Sequence, residues 1–166
     1  MAFRYTATVS RRSGVPIERL TEPSRLVLWL AANDLDPGRE ATPTDLDRAL
    51  HLREAIYRAG AAVARSLTPT EEDVRTINEA AAAGRPVPAW ESGQDRWRLT
   101  GPDHLTDALA VIAHDAIRAL GGAPARVKTC EGPDCAGLFL DTSRGGSRRW
   151  CSMNTCGNKA KKSRMR

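Results

Sequence analysis

All four cysteines of this 166-residue chain fall within its last 37 residues, as Cys130-x4-Cys135 and Cys151-x4-Cys156 with fifteen residues between the pairs. Thiolates supplied as two short-spaced pairs from two chain segments meet the tetrahedral demand of zinc with little loop entropy to overcome. Gly132-Pro133-Asp134 lies between the first two cysteines and can turn them toward one point. The second pair is five positions apart, about 500° of α-helix, so both thiols cannot face one ion from a single regular helix. Cys151 is therefore expected just before a helix and Cys156 within its early turns. Ser152 would then be the N-cap of a helix running from Met153 toward Arg166, on the order of 20 Å long. Four cysteine ligands leave no open coordination position, which predicts one structural Zn2+ supplying most of the folding energy of so small a segment. Two disulfides or a redox dithiol are the alternatives. The opening MAFRYTATVS lacks the charged-then-apolar pattern of a secretory leader, and a reducing cytoplasm, the expected location, favours the metal.

Charge is concentrated on the same stretch. Residues 126–166 hold ten of the 25 basic residues against three acidic ones, whereas residues 1–125 are slightly acidic. That asymmetry calls for an acidic partner, and nucleic acid is the usual one. Arg144, Arg148, Arg149, Lys159, Lys161, Lys162, Arg164 and Arg166 are the expected phosphate contacts, with Asn158 as a base reader. If about six phosphates are neutralised, log K should fall with log salt at a slope near −5.

Other chemistry is sparsely signalled. The chain has no G-x-G-x-x-G, P-loop, H-E-x-x-H or G-x-S-x-G pattern, and His51, His104 and His114 have no metal-ligand spacing among themselves. No catalytic residue is assigned. No run approaches the roughly 18 apolar residues that span a bilayer, so no membrane partner is expected. Arg53 falls on the apolar stripe of a long helix and must be paired, either by a carboxylate of the chain or by an acidic ligand.

These residues need a framework to position them, and the pattern predicts a mainly α chain. A short strand and turn are expected over residues 1–20. A short helix follows Pro23, buried on most of its surface, and Thr44 is expected to cap a long helix over residues 45–67. Gly60 inside that helix predicts close approach of a neighbour. Thr68-Pro69-Thr70-Glu71 reads as the start of a third helix, stopped by Gly84. A β-hairpin over Trp90–Leu99 with Gly93-Gln94 as its turn would set Glu91 opposite Arg96 and Trp90 opposite Trp97. Asp103 opens a fourth helix with Leu105, Leu109, Ile112, Ala113, Ala116 and Leu120 on one face. Gly121-Gly122-Ala123-Pro124 looks like a hinge, which divides the chain into a helical domain (1–125) and a zinc finger (126–166).

The finger also resembles a known family. Cys130-x4-Cys135, the run Phe139-Leu140-Asp141-Thr142-Ser143-Arg144, then Arg148-Arg149-Trp150-Cys151-Ser152-Met153 and Cys156-Gly157-Asn158-Lys159 are similar to the CGNR zinc-finger family. Position 159 holds Lys where that family's name has Arg; the charge is kept and the bidentate geometry is not. Pro16-Ile17-Glu18-Arg19-Leu20 and Leu46-x-x-Ala49-Leu50-x-Leu52-Arg53-Glu54-Ala55-Ile56-Tyr57 resemble the ABATE domain that accompanies this finger. The resemblance implies a treble-clef-like four-cysteine zinc finger ending in a basic helix, behind a helical domain with a small β-hairpin. It also implies a bacterial, stress-linked transcription regulator.

The leading expectation is thus a DNA-binding regulator whose helical domain dimerises, senses a small-molecule effector, or both. RNA as target, a small-molecule site or enzyme in residues 1–125, and a zinc module that only mediates protein association are the alternatives.

Overall fold

In the computed structural model, which describes residues 1–164, the last two of them by backbone alone, there are six helices and three two-stranded antiparallel sheets, and the first five helices supply most of one apolar core. The core is built on α5 (His104–Gly122), capped by the Asp103 carboxylate, which accepts from the Leu105 N–H. The expected single buried face of this helix is instead an almost continuous buried surface from Leu105 to Ala116, with Ala108, Ala110, Val111 and Ala113 as enclosed as Leu105 and Ile112. Small alanine side chains let neighbours close on it from several sides: α1 (Ala2–Thr6), α3 (Pro43–Val63), α4 (Glu71–Ala83) and the hairpin β3–β4 (Pro86–Glu91, Gln94–Leu99) all pack against α5.

The start of the chain departs from expectation. Tyr5 and Thr6 are helical, not extended, and Tyr5 is fully buried, its phenol donating to the Ala49 carbonyl of α3 at 2.6 Å. Burial of a large aromatic with its hydroxyl satisfied outweighs the weak strand preference of a Tyr-Thr pair. The strand appears later, as β1 (Val9–Ser10) paired with β2 (Ile17–Glu18).

Helix boundaries are moved by side-chain caps. For α3 the cap is Thr42, not Thr44: its hydroxyl accepts from the Asp45 N–H (3.2 Å) while the Asp45 carboxylate accepts from the Thr42 N–H (2.9 Å), with Pro43 in the first turn. This reciprocal pair satisfies two orphan donors, and Pro43 occupies the first helical position behind it. The same helix stops at Val63 because Ser66 adopts a left-handed conformation (φ 57°) and the Leu67 N–H turns back to the Ala62 carbonyl, leaving Leu67 exposed. In α4 the cap is Thr70, bonded to Asp73, rather than Thr68. Arg58 of α3 bonds the same Asp73 carboxylate at 2.5 and 2.9 Å and so ties the two helices. Helix α2 (Pro23–Ala31) buries only Leu26 and Leu30 and leaves Leu28 62% exposed, so it covers the core with one face and is not enclosed.

The β3–β4 turn is Ser92-Gly93, both at positive φ (51° and 78°), not Gly93-Gln94. Two left-handed residues match the twist of a two-residue hairpin, and the register follows from them. Trp90 therefore faces Asp95 and is 84% exposed, Trp97 faces Pro88 and stacks on His114 of α5, and Glu91 pairs with Arg98 at 2.6 Å.

The region expected to hinge is continuous structure: Gly121 and Gly122 are the last residues of α5, and a 3-10 turn at Pro124–Arg126 leads into β5 (Val127–Thr129). Strand β6 (Leu138–Leu140) pairs with β5 and drives Leu138 onto Gly60 of α3. A Cβ at Gly60 would lie 2.4 Å from Leu138 Cδ1, which is the close approach that this glycine permits. Gly60→Ala should therefore cost about 1–2 kcal/mol in urea denaturation, overpacking outweighing alanine's roughly 1 kcal/mol better helix propensity. Unchanged or raised stability would show that Leu138 yields freely. No helix among the described residues is long and apolar enough to cross a membrane.

Candidate metal centre and basic helix

Cys130 follows β5 directly, and its N–H donates to the Gly137 carbonyl at 2.8 Å, which closes the loop that carries the first cysteine pair. Inside the loop the Cys135 N–H donates to Gly132, and Asp134 and Ala136 take positive φ (61° and 47°) to complete the reversal. Gly132 lies under the second pair, where a Cβ would fall 2.7 Å from Cys156 Cβ, so only glycine fits there.

The second pair reaches the same point by a device not foreseen in the spacing. Ser152 is the N-cap as expected, but the turn it caps, Met153–Gly157, is a π-turn in which the Gly157 N–H bonds the Ser152 carbonyl. The wider turn carries Cys156 back toward Cys151, and only then does α6 (Asn158–Arg164) begin. The expected continuous helix from Met153 is thus a π-turn plus seven α-helical residues, about 10 Å of regular helix.

The four Sγ atoms lie within 4.8 Å of one another, with Cys151 Sγ 3.7 Å from both Cys135 Sγ and Cys156 Sγ. A zinc ion with Zn–S bonds of about 2.3 Å places tetrahedral sulfurs about 3.8 Å apart, so the donor set fits the metal. All four cysteines are free, which removes the two-disulfide alternative. The centre is a closed four-cysteine site for one structural zinc. Backbone N–H groups of Gly132 (3.4 Å) and Cys151 (3.3 Å) point at Cys130 Sγ and hold its thiol below the ordinary value even though burial acts the other way. Burial, together with the neighbouring cysteines, pushes Cys135 up to about 11 and Cys151 higher still. Four thiolates in one such place need a cation, and zinc binding must release their protons.

Asp141 is a structural residue of the finger that no expected ligand or contact set contained. It is buried and accepts from the Ser143 hydroxyl (2.6 Å) and N–H (2.9 Å), the Arg148 N–H (2.9 Å) and Lys128 (3.0 Å). These donors, the Ser143 hydroxyl foremost, hold its carboxyl well below the usual carboxylate range. Asp141 thereby pins the 141–148 loop that delivers Cys151. The Asp-x-Ser spacing of an Asx-turn was its signal in the sequence.

The expected nucleic-acid residues divide into two groups. Arg148 is built into the finger: its guanidinium donates to the carbonyls of Trp150 (2.8 Å) and Cys151 and lies 5.0 Å from the Phe139 ring centroid. Arg149 is half-exposed, bonds Glu131 at 2.5 Å and flanks Trp150. Arg144, Asn158, Lys159, Lys161 and Lys162 are exposed, and Asn158, Lys159, Lys161 and Lys162 line one shallow groove along α6 together with Asn154 and Thr155. The Asn158 side-chain amide donates to the Asn154 carbonyl at 3.1 Å. The Arg164 side chain and Arg166 lie outside the described residues.

Arg53 is far from this surface in role. Only 4% exposed, it makes two bonds to Glu18 (2.6 and 2.8 Å), one to Glu54 (2.8 Å) and one to Thr8 (3.1 Å), so its partners belong to this chain. Glu54 also takes both arms of Arg12 (2.8 and 3.0 Å), whose guanidinium sits 3.8 Å over the Tyr57 ring. This network ends at the metal loop. The Arg12 N–H donates to the Cys135 carbonyl (3.1 Å), the Ser13 N–H to Asp134 (3.3 Å) and the Tyr57 hydroxyl to Ala136 (3.0 Å). Three successive carbonyls of the first cysteine loop are thus held by the helical body.

Residues 1–123 match the ABATE family model, described as "Putative stress-induced transcription regulator", and residues 126–166 match the CGNR zinc-finger model. No curated protein matches the chain.

Proposed function

Since the chain belongs to the ABATE family and carries a CGNR zinc finger, we propose that it is a transcription regulator that docks the exposed face of α6 on duplex DNA. The observation that carries this reading is the set Lys159, Lys161 and Lys162, exposed on a short helix whose start is anchored by the zinc ligand Cys156. A cationic helix held at one end by a metal centre presents its charges without an ordering cost at binding. Arg144 adds a cation from the 141–148 loop, and Asn158 supplies the amide that could read a base edge. Arg148 is a positioning residue in this scheme, because its donors are used on the backbone around Cys151. Arg149 contributes only after parting from Glu131, an exposed pair worth little to break.

The test is a titration of the zinc-loaded chain with duplex DNA at several salt concentrations. Lys159→Ala, Lys161→Ala and Lys162→Ala together should flatten the slope of log K against log salt by about 3, since each phosphate contact contributes roughly 0.9. Absence of binding at low salt, or an unaltered slope in the triple variant, would sink the proposal. Structured RNA at matched salt is the control, and tighter binding to it would redirect the reading to RNA.

A further inference from the structure

We propose that the groove between α1, α5 and β6 is a binding site for a small amphipathic carboxylate, an organic acid with an aromatic or branched apolar body. The groove has a volume of about 650 Å³, within the range of small-molecule sites. Its floor is apolar: Phe3 and Leu138 meet over Gly60, and Phe139 and Ala119 continue the surface. Its charged groups are unbalanced in one direction. Arg4 and Arg118 both line it, both are exposed, and neither makes a hydrogen bond or salt bridge among the described residues. The one carboxylate of the lining, Asp115, already accepts from the Ala2 N–H at 2.7 Å and from the Met1 amine at 2.8 Å. Arg118 attracts Asp115 through space without bonding it, and the donors of both guanidinium groups over an apolar floor complement a carboxylate head on an apolar body, the head taken by the paired donors of arginine and the body by the phenylalanines.

The position of the groove gives such a ligand a consequence. Cys151, a zinc ligand, lines the same space as Leu138, Phe139 and Leu140 of β6, while the opposite wall belongs to α1 and α5. An occupant touches the helical body and the metal-bearing segment at once, and a ligand that binds one relative placement of the two better shifts the population toward it. The effector role rests on the regulator reading above; the binding itself does not, and it is measured without DNA.

The probe is anilinonaphthalene sulfonate fluorescence on the zinc-loaded full chain. Saturable binding is expected, with phenylpropionate displacing the dye at least tenfold more effectively than the neutral phenylpropanol. The double variant Arg4→Ala/Arg118→Ala, with an unchanged circular dichroism spectrum, should lose that preference for the acid. Ala119→Trp, which fills the groove, should weaken dye binding at least tenfold. The proposal is overturned by no saturable binding to wild type, by equal displacement by acid and alcohol, by an acid preference that survives in the double variant, or by dye binding that survives in Ala119→Trp. Duplex binding in the absence of any dye reports on the regulator reading alone, so the two failures are distinguishable.

Discussion

Chelating the zinc should unfold residues 126–166, abolish duplex binding and also lower the unfolding temperature of the helical body. The finger has few apolar side chains of its own to hold it: Val127, Leu138 and Phe139 are its buried ones beside Cys130. Structural zinc in small fingers supplies about 10–16 kcal/mol of apparent folding free energy at neutral pH, far more than three side chains can replace at about 1.5–3 kcal/mol each. The body is drawn in because it uses the finger as a surface. Losing the metal loop frees the N–H groups of Arg12 and Ser13 and the Tyr57 hydroxyl, and it uncovers the floor formed by Gly60 and Phe3. Differential scanning calorimetry with and without chelator checks this, alongside metal analysis expected to give one zinc per chain and none in Cys156→Ser. A body transition that stays at the same temperature without metal would show the two parts to be energetically independent.

Replacing Arg53 with methionine should destabilise the protein by about 2–4 kcal/mol, even though methionine is apolar and roughly fits the volume. Removing one member of a buried ionic cluster strands the others, which is the costly way to break it. Glu18 and Glu54 would be left facing each other, and their partial exposure places the cost below that of fully buried carboxylates. Arg12 would still hold Glu54. Both carboxylates have pKa values lowered in the folded chain; burial opposes the shift, and the bonds from Arg53 to Glu18 and from Arg12 to Glu54 overcome it. A lowered folded-state pKa contributes stability that is present above the unfolded carboxylate value, near 4.3, and is lost as pH falls through the folded value. Wild type should therefore lose stability steeply below about pH 4, and Arg53→Met should lose less over that interval. Urea denaturation across pH 3–7 measures both effects. Equal stability of the two proteins at pH 7 would mean that the cluster contributes no net stability.

The finger was far more legible than the body, for a physical reason. A metal site is specified by donor type and spacing along the chain, so C-x4-C twice, with glycine and proline between the first pair, carried the ligand set and the closed coordination. The position of Cys156 required a π-turn, because an α-turn would direct its thiol away from Cys151. The basic charges were equally visible, but charge alone did not separate the lysines of α6 from Arg148, which is consumed by backbone carbonyls. In the body, helix existence followed from apolar periodicity, while the ends followed from which of two neighbouring threonines had its carboxylate partner held by an arginine from outside the helix. Thr42 with Asp45 and Thr70 with Asp73 form the caps although Thr44 and Thr68 have Asp47 and Glu71 at the same spacing; Asp45 and Asp73 are the carboxylates that Arg39 and Arg58 also bond. The hairpin was recognisable, and its register was decided by one residue of turn position.

By itself the sequence determined that a four-thiolate zinc centre is followed by cationic residues, that helices precede it, and that Arg53 needs a partner. These are local matters of donor chemistry, periodicity and the cost of a buried charge. Only the tertiary structure decided that Glu18 is the main partner of Arg53, that Tyr5 is a core helix residue, and that Gly60 is kept small for Leu138 of the finger. It also joined the parts that a glycine pair suggested were hinged, through the bonds of Arg12, Ser13 and Tyr57 to the metal loop. Such pairings join residues far apart in the chain, and neither composition nor spacing encodes which of many exposed donors meets which carbonyl. That choice is made when the helices close on α5 and leave one surface for the zinc loop to cover.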